Sequence, residues 1–140
     1  MPHGHGCREQ CIRSGWRSVT AQSFALVNDV SGAGGEVVVV LTNLPDLATA
    51  RKLAQLLVEQ RLAACVNVLA QCSSVYRWRG AIETATEVPV LIKTVASRYP
   101  HVEAAIRANH PYELPEIVSV PVMAGLSEYL DWVAAESAAE

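Results

Sequence analysis

Few features of this 140-residue chain point to a membrane or a nucleic acid, and those absences narrow the reading first. No run approaches the roughly 18 apolar residues of a membrane span, and a run such as Val37 to Leu41 is strand-sized. Basic residues are scarce: Lys and Arg total 11, the net charge is −3 and the pI is near 5.8. A nucleic-acid surface needs a basic face to neutralise phosphates, so that partner class is excluded. Cysteines are few and scattered at positions 7, 11, 65 and 72, which is no disulfide framework for a chain of this size. A reducing, cytoplasmic compartment fits. No glycine-rich phosphate loop, activated nucleophile or closed metal motif is found, so the sequence predicts a protein that is not an enzyme.

What is present is a globular composition, 51% hydrophobic and 18% charged, with one domain's worth of length. Residues 1–35 stand apart. They carry His3, His5, Cys7, Cys11, three arginines and a closing Gly34-Gly35, with no sustained period of 3.6 or 2. Their charge is +1 against −4 for residues 36–140. We read 1–35 as a poorly structured leader, with targeting or metal binding through its His and Cys as rival readings, and 36–140 as the folded domain.

From Glu36 onward the pattern alternates strand and helix. Val37 to Leu41 is β-branched and apolar on both faces, as a central strand buried from two sides would be. Pro45 suits the first turn and Asp46 the positive dipole end of a helix whose stripe is Ala50, Leu53, Ala54, Leu57 and Val58, ending near Arg61. Leu62 to Leu69 reads as a second strand. Residues 74–79 alternate aromatic and basic residues, Gly80 breaks the run, and Glu83 to Val95 returns, so a long hairpin turns near Arg79-Gly80. Pro89 in the returning arm predicts an edge or a bulge. Ser97 is the expected cap of a second helix with Val102, Ala105 and Ile106 buried. Ile117 to Val122 is a strand, and a last helix places Leu126, Tyr129, Leu130 and Val133 on one face.

This order, βαββαβ with an added C-terminal helix, predicts an α+β ferredoxin-like fold with helices on one face of an antiparallel sheet. Two helices leave the other sheet face apolar and bare, which predicts an oligomer.

The chemistry concentrates in Asn109-His110-Pro111-Tyr112-Glu113-Leu114-Pro115-Glu116-Ile117. Pro111 and Pro115 bias the residues before them toward extended backbone, so a rigid turn presents an imidazole, a phenol and two carboxylates. His110 is the metal candidate, beside the alternative that its ring only locks the turn. Glu87 and Lys93 share strand parity and, with Tyr112 and Glu113, outline either a ligand cleft between subunits or an interfacial ion pair. Tyr76 and Trp78 suit an interface. Cys65 reads as a packed thiol.

Arg61-Leu62-Ala63-Ala64-Cys65-Val66-Asn67, the hairpin 74–82 with Glu87 and Lys93-Thr94, the turn 110–117 and Tyr129-Leu130-x-Trp132 together resemble the CutA divalent-cation tolerance family over about residues 36–135. The resemblance implies a homotrimer similar to the PII signalling proteins, with sheets packed inward and hairpins reaching to neighbours. It implies a role in tolerance of copper and other divalent metals, with a small-ligand sensor or an anchoring protein as alternatives. Copper-binding members use a cysteine at the end of the first strand and two adjacent histidines at the turn. Those positions are Leu41, Asn109 and His110 here, so one donor of three is kept.

Overall fold

The computed structural model describes residues 36–139, and the leader with its His and Cys pairs lies outside them. The run Val37–Leu44 forms β1, since valine at successive positions restricts χ1 and packs well on a pleated surface. Asp46 then caps α1 (Leu47–Glu59) through its Oδ1, which accepts from the Thr49 amide at 2.8 Å. Asp46 therefore stands at the positive end of the helix as expected, and Pro45 lies before that cap rather than in the first turn. Ala50, Leu53 and Leu57 are buried, but Val58 is 44% exposed, on the rim of the stripe.

The helix exit shortens the expected second strand. Arg61 takes a left-handed φ of 53°, and the Leu62 and Ala63 amides both donate to the Leu57 carbonyl. With those amides turned back onto the helix, β2 starts only at Cys65 and covers Cys65–Val68. β3 (Cys72–Trp78) and β4 (Ala81–Val95) form the long hairpin. Arg79 and Gly80, both with positive φ (48° and 83°), make its two-residue turn, the backbone whose twist matches the paired strands.

A 3-10 turn over Ala96–Arg98 leads into α2 (Tyr99–Asn109). Ser97 lies inside that turn and caps nothing. Pro100 occupies the first turn of the helix, where its lacking amide costs no bond. β5 (Ile117–Pro121) and α3 (Ser127–Glu136) complete the chain. Leu126 precedes α3 and is exposed, whereas Val133 is fully buried.

The sheet order is β2-β4-β1-β5, antiparallel throughout, with β3 continuing along β4 beyond β2. This is the ferredoxin-like plan. Val38, Val40, Leu44, Val88, Val90 and Ile92 pack against Leu53, Leu57, Val102 and Ile106 of the two helices to make the main core. Residues of opposite parity line the other face. There α3 covers only one end, through Val37, Val95 and Val133, and Val118 and Val120 stay 45% and 49% exposed.

Pro89 illustrates how the sheet absorbs an apparent defect. The β1–β4 register runs unbroken from Val37↔Val95 to Leu44↔Val88, so β4 itself has no bulge. The extra residue lies opposite: Val68 pairs with Val90 and Cys72 with Glu87, leaving three residues, 69–71, facing Val88 and Pro89. Pro89 accepts there from the Leu69 amide at 2.9 Å, so its absent N–H points at the bulged segment and not into the β1 ladder.

Candidate functional site

Four segments meet at one cleft: the end of β1, the β3 strand, the outer half of β4 and the turn 110–116. The cleft is about 840 Å³ and is lined by Asn43, Tyr76, Trp78, Glu83, Glu87, Tyr112, Glu113 and Glu116 among others. Strand parity explains the hairpin's contribution. Tyr76 pairs with Glu83 and Cys72 with Glu87, so Ser74, Tyr76, Trp78, Glu83 and Glu87 project from one face.

The turn is held across that face by His110. Its Nδ1 accepts from the Tyr112 amide at 3.1 Å, which puts the ring proton on Nε2, and Nε2 lies 2.7 Å from the Asn43 carbonyl that accepts it. The ring also lies against Tyr112, with centroids 4.8 Å apart. Both carboxylates of the turn have partners: Glu113 meets the Arg79 guanidinium at 3.1 Å, and Glu116 accepts from the Asn43 amide group. Asn109 bonds back to the Ala105 carbonyl at 2.8 Å.

Burial and the facing Glu87 carboxylate hold the Tyr112 phenol above the ordinary tyrosine range. Burial and then the Glu83 carboxylate do the same to Tyr76. Both shifts have one origin, phenols turned toward carboxylates in a partly desolvated space. Glu87 is only 8% exposed, yet among the described residues no Lys, Arg or His side chain lies within ion-pair distance of it.

Of the residues singled out from the sequence, Glu87, Tyr112, Glu113, Tyr76 and Trp78 come to this cleft within one chain; Lys93 of the same chain does not, and the cleft or ion pair expected between subunits involves a second copy. Lys93 shares the face of Glu87 but lies six residues, about 20 Å, further along β4, level with Val39 and Cys65. Leu41 is on that same open face beside Val118. Sequence reasoning missed Asn43, Glu83 and Arg79, whereas Glu116 was marked as one of the two carboxylates of the turn. Tyr76 and Glu83, equidistant from the Arg79-Gly80 turn, were pairable by counting, but the Asn43 contacts join residues 67 and 73 positions apart.

As a metal centre the site is incomplete within one subunit. Both His110 nitrogens are engaged, and among the described residues no group of three or more His, Cys, Asp or Glu side chains is placed to hold an ion. A borderline donor such as imidazole needs further ligands before it fixes a divalent ion. The described residues therefore do not fit a resident metal. No helix among them is long and apolar enough to cross a membrane.

Comparison with known proteins agrees with this architecture. The family model described as CutA1 divalent ion tolerance protein matches residues 38–136. The divalent-cation tolerance protein CutA of Thermus thermophilus is 44% identical over 95 residues, covering 68% of this chain and 92% of that protein. The chloroplastic protein CutA of Arabidopsis thaliana is 31% identical over 137 residues, 94% of this chain and 75% of that one. The crystal structure of CutA from Xylella fastidiosa superposes with a TM-score of 0.71 at 43% identity, covering 73% of this chain and 98% of that one. The matched span takes in the core strands, the long hairpin and the His110 turn together, and on that ground the chain belongs to the CutA1 divalent ion tolerance family.

Proposed function

We propose that this protein serves divalent-cation tolerance in the cytoplasm as a non-enzymatic homotrimer. The observation that carries the reading is the family match over residues 38–136, nearly the whole described domain. The trimer is supported by the bare sheet face, where Val118 and Val120 remain about half exposed beside Val39 and Leu41. Tyr76 and Trp78 would then reach toward a neighbour. Copper or another divalent ion enters as cargo, and His110 is its candidate contact. Ligation at His110 requires the ring to release one of its two hydrogen bonds and a second subunit to bring further donors.

Calorimetric titration of the purified protein with Cu(II) and Zn(II) tests this, run beside a His110→Ala variant and a chain starting at Glu36. Loss of binding only with His110 supports the turn. Loss only with the leader assigns the metal to residues 1–35. Undiminished tolerance to copper in cells lacking the protein would remove the functional reading itself.

A second reading, a small-ligand sensor working through the cleft, is favoured by one observation: an 840 Å³ space lined with aromatic rings where no metal-ligand cluster is present among the described residues.

A further inference from the structure

The cleft has a specific imbalance. Four glutamates line it, Glu83, Glu87, Glu113 and Glu116, against one basic residue, Arg77, whose strand parity is opposite to that of Tyr76 and Trp78. Arg79 neutralises Glu113, and Asn43 satisfies Glu116, so the outer rim is accounted for. Glu87 is not. It is nine-tenths buried and, among the described residues, faces phenols with no basic side chain in ion-pair reach, while the exposed Glu83 sits across the strand pair from Tyr76. A buried carboxylate without a counter-charge is expensive, because desolvation disfavours the ion and a neutral hydroxyl offsets only part of that cost.

The walls beside it are aromatic. Tyr76, Trp78 and Tyr112 all line the space, and aromatic faces attract cations through their quadrupole. Arg79 already uses this, its guanidinium carbon lying 5.3 Å from the Trp78 ring centroid. A divalent metal suits the cavity less, since Glu83 and Glu87 do not belong to any ligand cluster among the described residues. A compact anion is excluded by charge.

Resting on the sensor reading of this cleft, we propose that it binds a small organic cation, an amine or guanidinium compound, whose charged group pairs with Glu87 between the rings of Tyr76 and Tyr112. The ligand would supply the counter-charge that the described residues withhold, and the phenol hydroxyls would be acceptors for its remaining N–H groups.

The test uses the full-length protein in its native oligomeric state, titrated in a calorimeter with spermidine and tetramethylammonium, and in parallel with citrate and glucose. Spermidine should bind, and Glu87→Gln should weaken it roughly tenfold or more, the usual weight of a charge-assisted hydrogen bond. Glu59→Gln, on the exposed side of α1, should leave binding unchanged. Binding should also perturb the tyrosine absorbance, which non-specific polyamine association at the acidic surface would not. Equal spermidine affinity in Glu87→Gln overturns the assignment. Binding of citrate or glucose but of neither cation overturns the charge class and leaves the sensor reading standing, whereas binding of none of the four removes both. Dissociation of the oligomer on Glu87→Gln, without cation binding to the parent protein, would show that a basic side chain of a second copy fills the place, and would overturn the proposal too.

Discussion

His110 and Asn43 are 67 positions apart in the chain, and the Nε2 of one lies 2.7 Å from the carbonyl oxygen of the other. This bond, with the Tyr112 amide on Nδ1, fastens the proline-bounded turn to the end of β1. His110→Ala should lower unfolding free energy by about 1–3 kcal/mol, the range for losing hydrogen bonds to partly buried backbone groups. Urea denaturation measures it. An unchanged midpoint would mean that the prolines alone hold the turn.

Arg61 gives a second prediction. Its backbone is left-handed, which costs a residue with a Cβ about 1–2 kcal/mol, but its guanidinium reaches the α3 end, donating to Ala135 at 3.0 Å and Ala138 at 3.4 Å. The accompanying contact to Glu136 at 3.9 Å is exposed and adds little. Arg61→Ala keeps the strain and loses the cap, whereas Arg61→Gly loses the cap and sheds the strain. Thermal melts should therefore rank Gly above Ala, with amide exchange accelerated in the last turn of α3 in both variants.

The tyrosines predict an alkaline response. The Tyr112 phenol is raised in the folded protein by burial and then by Glu87, so the folded state holds its proton more firmly than the unfolded chain does. The resulting stabilisation is complete below the ordinary tyrosine value near 10 and is lost as pH climbs through the higher folded value. Absorbance titration of tyrosinate should show a late-ionising component, and Glu87→Gln should move it down. No movement would mean that Glu87 does not face Tyr112 in solution.

Asp46 predicts the opposite limb. The Thr49 amide, with help from the Thr49 hydroxyl, holds its carboxyl below the ordinary value of 3.8. Its contribution is present above that value and fades as pH falls through the lower folded one. Asp46→Ala should reduce the melting temperature at pH 7 and flatten the acid limb, while Asp46→Asn should recover the cap without the acid dependence. Equal melting temperatures for parent and Ala would mean that the cap is dispensable.

Local chemistry was where the sequence spoke clearly. The valine run gave β1, Arg79-Gly80 gave the hairpin turn, and Pro111 ended α2 at Asn109, because each follows from backbone preferences of one or a few residues. Three features needed the tertiary context. The left-handed Arg61, in place of glycine, gave no local sign that the Leu62 and Ala63 amides fold back onto α1, and so the expected β2 began too early. The bulge foreseen at Pro89 falls on residues 69–71 of the facing segment, since parity along β4 is dictated by its pairing with β1. The cleft's composition was half legible: Tyr76, Glu87, Tyr112 and Glu113 were marked by residue type, but whether Lys93 joined them depended on distance along a strand. Nothing local marks Asn43, whose two partners come from the far end of the chain.

Pro89 has a wider meaning for β4. Inward of it, Val90 to Lys93 are clamped between β1 and β2 and backed by helices, whereas outward of it Ala81 to Glu87 pair, among the described residues, with β3 alone. That outer stretch spans about 23 Å and acts as a cantilever sharing one unbroken backbone with the core. Among the described residues it is tied to the turn by the salt link from Arg79 near the tip to Glu113 and by Tyr112 facing Glu87. A ligand wedged between arm and turn thus has leverage on a strand that runs through the centre of the sheet.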